Sequence, residues 1–165
     1  MLARLGSGLA LAAVAALALV GCSPPEPVAT DEDLLAEATA SLNSFYTVAE
    51  QQFERGEARP DDFSGIATDS FADEYSAQIQ DILDTGATSR GVPSVSAIEL
   101  TGRDTSSARF IVCLDATSVE TVRSDGEQLT GQAVAWDAEF ELAPDTAELL
   151  LSNIEVATDQ SPCNL

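Results

Sequence analysis

The apolar residues of this chain change their spacing once, near Pro93, and that change restricts the fold more than any other feature. Before it, Leu34, Ala38, Leu42, Phe45, Ala49 and Phe53 recur at three- and four-residue steps. That spacing lays one apolar stripe along a helix. Thr30 stands three residues ahead of Asp33, a capping-box interval, and Asp31, Glu32 and Asp33 suit the positive end of a helix dipole. Gly56 is a natural stop. Residues 60–68 read as a short helical turn with a short edge strand. A second amphipathic helix is expected from about Ser70 to Asp84, with Phe71, Tyr75, Ile79, Ile82 and Leu83 on one face and Gly86 ending it. Residues 86–94, with two Gly and a Pro, read as a loop.

Beyond Pro93 the period is two. Ser96, Ile98 and Leu100 alternate with Val95, Ala97 and Glu99; then Phe110, Val112 and Leu114 share a face, with Ile111 and Cys113 opposite. Val119 and Val122 lead to Ser124-Asp125-Gly126, and an Asp-Gly pair between such runs is a hairpin-turn signal. In the next strand Val134, Trp136, Ala138, Phe140 and Leu142 face one way, while Asp137, Glu139 and Glu141 face water. Ala143-Pro144-Asp145 marks a turn, and Leu149 to Val156 a last strand. Helices followed by a run of antiparallel strands imply an α+β fold: a long and a shorter helix packed on a curved four- to five-stranded antiparallel sheet.

The charge excludes whole classes of partner. The 165 residues include 28 Asp and Glu against seven Arg, with no Lys and no His, a formal charge of −21. Nucleic acid is a poor partner for such a surface, since binding it depends on cationic groups that release counterions. Anionic head groups are disfavoured for the same reason. Without histidine there is no Ser-His-Asp or Cys-His catalysis, and the commonest zinc and copper ligand is missing. The acidic pairs and triplets (Asp31-Glu32-Asp33, Asp61-Asp62, Asp73-Glu74) lack the spacing of a calcium loop. They read as helix starts and solvated faces, so no metal and no cofactor is expected.

The front of the chain carries an address. Met-Leu-Ala-Arg precedes an almost unbroken Leu, Ala and Val run from Leu5 to Val20, followed by Gly21-Cys22. A basic start, an apolar run and a small residue before the cut is the layout of an export signal. Leu19-Val20-Gly21-Cys22 resembles the lipobox of bacterial lipoproteins, in which a diacylglyceryl group joins the cysteine thiol and a peptidase cuts before it. An uncut membrane span is the alternative, but the run is shorter than the ~20 residues a span requires. Cleavage between Gly21 and Cys22 would leave a lipid on Cys22 and change the net charge to −22, since it removes only Arg4. Ser23-Pro24-Pro25-Glu26-Pro27 then reads as an extended spacer. The expected division is residues 1–21 signal, 22–30 spacer and 31–165 domain, held on the outer face of the cytoplasmic membrane.

The order of elements resembles the nuclear transport factor 2-like superfamily, with its cone-shaped cystatin-like fold. Residues 108–163 resemble secreted and lipid-anchored members from high-GC Gram-positive bacteria. The matching features are Cys113-Leu114-Asp115-Ala116-Thr117, the Asp125-Gly126 turn and Pro162-Cys163. Members often carry a Trp at the start of the last strand, where this chain has Leu149-Leu150-Leu151. The resemblance implies a functional place at the open end of the cone, where enzymes of the superfamily hold an acid or base near tyrosines. It implies little about function, because folds host many activities.

With Cys22 lipidated, Cys113 and Cys163 are an even remainder in an exported domain, which argues for a disulfide. Two free thiols or a redox pair are the alternatives, although a redox pair usually has Cys-x-x-Cys spacing. Asp115, Tyr46 and Tyr75 are the only substitutes for a catalytic His at the open end, and each has a structural explanation: Asp115 as the cap of a bend, the tyrosines on or beside apolar stripes. Trp136 reads as core or pocket wall. Glu37, Glu50 and Glu54 are expected to face solvent. The reading is a non-catalytic domain that binds a small apolar ligand or an envelope protein. An isomerase- or cyclase-type enzyme and a structural accessory subunit are the alternatives, and the oligomeric state is left open.

Overall fold

The computed structural model describes residues 29–143 and 148–163. The expected export signal, Cys22, residues 23–28 of the expected spacer and the expected turn at Pro144-Asp145 lie outside the described residues. Helix α1 spans Asp31–Arg55. Its capping box forms as the sequence implies: Thr30 Oγ1 accepts the Asp33 N–H at 3.2 Å, and the Thr30 N–H donates to Asp33 Oδ2 at 2.9 Å. The Thr30 hydroxyl, which donates to Asp33 Oδ2 at 2.6 Å, and then the Thr30 N–H hold the Asp33 carboxyl below its ordinary range. Gly56 closes the helix in the left-handed conformation. Pro60–Phe63 form a turn of 3-10 helix that buries Phe63, and helix α2 spans Asp69–Asp84. In place of an edge strand, Ala67 makes one parallel bridge to Leu151. Among the described residues no helix is long and apolar enough to cross a membrane.

Among the described residues seven strands follow: β1 Thr88–Arg90, β2 Ser94–Arg103, β3 Ser107–Asp115, β4 Glu120–Val122, β5 Gln128–Thr130, β6 Ala133–Leu142 and β7 Leu149–Val156. They form two antiparallel sheets, a large one in the order β2-β3-β6-β7 and a small one in the order β1-β4-β5. The fold is α+β, but the single sheet expected from sequence is divided. Thr88–Arg90, expected as loop, pairs with Glu120–Val122. The Asp125-Gly126 turn closes the short β4–β5 hairpin, and β6 passes beyond that hairpin to pair with β3.

The large sheet carries three register shifts, and a hydroxyl residue sits at each. Ser96, Thr101 and Ser152 are the extra residues, and their hydroxyls donate to Cys113 O, Arg109 O and Glu139 O at 3.2, 3.1 and 3.0 Å. A bulge leaves one residue out of the ladder and bends its strand. Here the displaced residue gains a bond to the neighbouring strand through its side chain. The bulge at Ser96 also overturns the expected alternation. Val95 pairs with Leu114 on the core face, the same side as Ile98 and Leu100.

The core lies between α1, α2 and the inner face of the large sheet. Phe45 is fully buried, with ring centroids 4.7 Å from Phe63, 5.7 Å from Phe71 and 4.6 Å from Tyr75. On the sheet, Phe110 and Phe140 meet edge to face at 5.5 Å. Each such side chain contributes about 1.5–3 kcal/mol by leaving water. The outer face is wet at Asp137 and Glu141 but covered at Ala135 and Cys113. There the C-terminal tail folds back: Gln160 Oε1 accepts the Ala135 N–H at 2.9 Å, and Cys163 lies at disulfide distance from Cys113, with Cα atoms 5.2 Å apart.

Candidate functional site: a cavity at the C-terminal half of α1

Polarity in α1 decides where the core stops. The helix runs from the end of the sheet that holds Phe140 and Leu149 toward the end that holds Leu114 and Val134, and its buried residues run from Leu34 to Gln52. Along this second half the small sheet, rather than a further layer of apolar side chains, stands beside the helix. A cavity of about 320 Å³ remains there, open to solvent. Ala49, Phe53, Leu114, Val119, Val134 and Trp136 make most of its wall, and Tyr46, Tyr75, Glu50, Ser89 and Gln132 bring the polar atoms.

Two close backbone approaches build its mouth. At Gly91 (φ 95°) a Cβ would lie 2.3 Å from Ser118 O, and at Gly131 a Cβ would lie 2.2 Å from Ala116 O. Only glycine allows chains to approach so closely. Ser118 Oγ donates to Val92 O at 3.1 Å, and the Gly131 N–H donates to Val119 O at 2.9 Å. These contacts fix the β1–β2, β3–β4 and β5–β6 connections against one another.

The two tyrosines stand side by side in aromatic surroundings. Tyr46 meets the edge of Phe45 at 5.4 Å, and Tyr75 packs on Phe45 and Phe71. Neither hydroxyl has a hydrogen-bond partner among the described residues. Burial pushes the Tyr75 phenol up to about 12. Burial pushes Tyr46 higher still, with nearby Tyr75 adding to it. Both are neutral donors at physiological pH, since a buried phenolate would lose its hydration.

Glu50 reaches the same cavity from α1. Its Oε1 accepts the Gly91 N–H at 2.8 Å, and Oε2 has no hydrogen bond among the described residues. The expectation that Glu37, Glu50 and Glu54 all face solvent is corrected for two of the three. Glu37 accepts the Leu149 N–H at 2.8 Å, so Glu37 and Glu50 each cap a strand-end amide, and only Glu54 is exposed.

Of the four residues singled out from sequence, Tyr46, Tyr75 and Trp136 line the cavity together. Asp115 does not. Its Oδ1 accepts the Thr117 hydroxyl at 2.6 Å and the Thr117 N–H at 2.9 Å, which hold its carboxyl below the ordinary range. Asp115-x-Thr117 is a local turn that bends the chain out of β3. Among the described residues no group of three His, Cys, Asp or Glu side chains is placed to hold a metal ion. Asp31, Glu32 and Asp33 open α1, and Asp62 pairs with Arg55. Asp73 and Glu74 lie in the second turn of α2, exposed, rather than at its start.

No protein-family model and no curated protein sequence matches the chain. Among solved structures, a de novo designed β-sheet protein determined by solution NMR is similar at a TM-score of 0.36 and 12% identity, over 76% of this chain and 91% of that one.

Proposed function

We propose that this chain is a lipid-anchored cell-envelope lipoprotein whose domain, of the nuclear transport factor 2-like kind, binds a small and largely apolar ligand without chemistry of its own. The observation that carries the reading is the open cavity of about 320 Å³, walled by aliphatic and aromatic groups with a few polar atoms among them. That is the usual composition of a small-molecule site, at the small end of the ~300–1,000 Å³ such sites span.

Four features favour binding over catalysis. The chain has no histidine, and the one carboxylate at the cavity already accepts a backbone N–H. The two phenols stay protonated at neutral pH, which suits them to donate hydrogen bonds and not to act as bases. Asp115, the remaining acid candidate, is occupied by Thr117. The lipobox-like Leu19-Val20-Gly21-Cys22 supports anchoring through Cys22, and two acyl chains suffice for a stable anchor. An exported location also fits the Cys113–Cys163 pair.

The ligand site is tested by filling it. A panel of small apolar and amphipathic molecules should raise the melting temperature of the wild type, and Ala49→Phe or Val119→Phe should abolish the shifts while leaving a cooperative transition. Shifts that survive both substitutions, or a panel without effect, would refute the site. The anchor is tested separately: Cys22→Ala should move the protein from membranes to the soluble fraction, and full membrane retention would overturn it.

A further inference from the structure

The charge at the cavity is of one sign, and that sign narrows the ligand. Among the described residues no arginine lines it, and the chain has no lysine or histidine, so no described side chain there can neutralise an anion. Four aromatic rings do line it: Tyr46, Phe53, Tyr75 and Trp136. The carboxylate of Glu50 stands among them with one oxygen bonded to Gly91 and the other open. An aromatic face is negative at its centre and attracts a cation, more strongly when both are shielded from water. The domain around the site carries a formal charge of −22 once residues 1–21 are removed, a field that concentrates cations at its surface.

We infer that the cavity selects a small organic cation, an alkylammonium group with an oxygen acceptor on its body. Glu50 Oε2 and the rings of Tyr46, Phe53, Tyr75 and Trp136 receive the ammonium, and the Tyr46 and Tyr75 hydroxyls donate to the acceptor. This rests on the ligand-binding reading above and adds the chemical class. It accounts for two features that an apolar ligand leaves idle: a carboxylate with an open oxygen, and two phenol hydroxyls without partners in an aromatic wall. These groups face an open cavity, so a ligand that pairs them replaces solvent there with direct hydrogen bonds.

The test is a matched pair of probes. Choline and its neutral isostere dimethylbutanol, in which carbon replaces the nitrogen, have the same shape and the same hydroxyl. Isothermal titration calorimetry of the folded domain should show choline bound about tenfold more tightly. Glu50→Gln keeps an oxygen for the Gly91 N–H but removes the charge, so it should bring the two affinities together by weakening choline alone. Added salt should weaken choline binding and leave the isostere unchanged, a readout on the wild type that holds even if the variant is poorly folded. Equal binding of the two probes would overturn the inference while leaving a ligand site in place. Binding of neither probe overturns it too, and the cavity-filling panel then decides whether any ligand site exists. A preference for choline that survives Glu50→Gln and high salt would remove Glu50 from the account.

Discussion

The two halves of α1 rest on different kinds of interior. The first half lies over Phe110, Phe140, Leu149 and Leu151, which are buried and packed side to side. The second half carries Tyr46 and faces Tyr75 and Trp136, half-buried groups with polar tips around open space. At the packed half, dispersion and apolar burial supply the stability. At the open half that contribution is smaller, and other devices stand in for it: the Cys113–Cys163 tie behind β3, the Glu50 bond to Gly91, and glycine contacts at the mouth. An open cavity gains little from packing, so its walls are held from outside.

Substitutions at the two halves test this contrast. The largest effect is expected at Phe45, where the interior is filled: Phe45→Ala should remove about 3–5 kcal/mol in urea denaturation, as a large side chain lost from a packed core does. A loss below about 1 kcal/mol would mean the interior around Phe45, where the two halves meet, is looser than its ring contacts indicate. Cutting the covalent tie, with Cys113→Ala and Cys163→Ala together, should cost about 3–4 kcal/mol for a loop of this length. Reduction with a thiol should have the same effect on the wild type and none on the variant.

At the mouth, Gly131→Ala drives a methyl group against Ala116 O and should cost about 1–3 kcal/mol. Ligand-induced shifts in melting temperature should fall with it if the connection shapes the cavity, and stay unchanged if the clash relaxes outward. The smallest effects at neutral pH belong to Tyr46→Phe and Tyr75→Phe. Each removes a hydroxyl without a partner, so stability should change by no more than about 0.5 kcal/mol.

These tyrosines reveal themselves in alkali. The folded Tyr75 phenol titrates near 12 against an ordinary 10.0, so between those values the folded state holds a proton that the unfolded state has released. Its contribution is fully present below pH 10 and is lost as pH rises through about 12. Stability should therefore decline across that window, by up to ~1.4 kcal/mol per pH unit for each such phenol. The double Tyr→Phe variant should show a flatter profile, and an unchanged slope would show that the phenols are solvated when folded.

The parts of the fold legible in sequence are those that follow one period over many residues. The stripe from Leu34 to Phe53, with Thr30 and Gly56 at its ends, gives α1 almost to the residue, and the alternation through Phe110–Leu114 and Val134–Leu142 gives β3 and β6. The small sheet left no such trace. Its strands are three residues long and β5 is wholly exposed, so hydrophobic burial has no pattern to write there. The bulges left a trace that an alternation search misreads. Val95 and Ile98 are both apolar and three apart, an interval that a regular strand cannot place on one face. Ser96 between them supplies the extra residue.

The site was legible only in part for the same reason. Tyr46 flanks an apolar stripe and Tyr75 and Trp136 lie on apolar faces, and groups with an apolar body and a polar tip tend to stand where a core meets water. Glu50 shows no such sign, because its role depends on a strand end 41 positions away in the chain. Asp115 had the right type for an acid, but its partner two residues on explains it locally.

One consequence of the cavity is optical. The chain has one tryptophan and two tyrosines, and all three line the same space. Near-ultraviolet absorbance above the phenylalanine and disulfide background, and nearly all intrinsic emission, therefore originate from its walls. The rest of the domain is spectroscopically quiet. A change in those signals that precedes global unfolding, whether caused by solute, salt or alkali, is a report from this cavity and needs no label to be read.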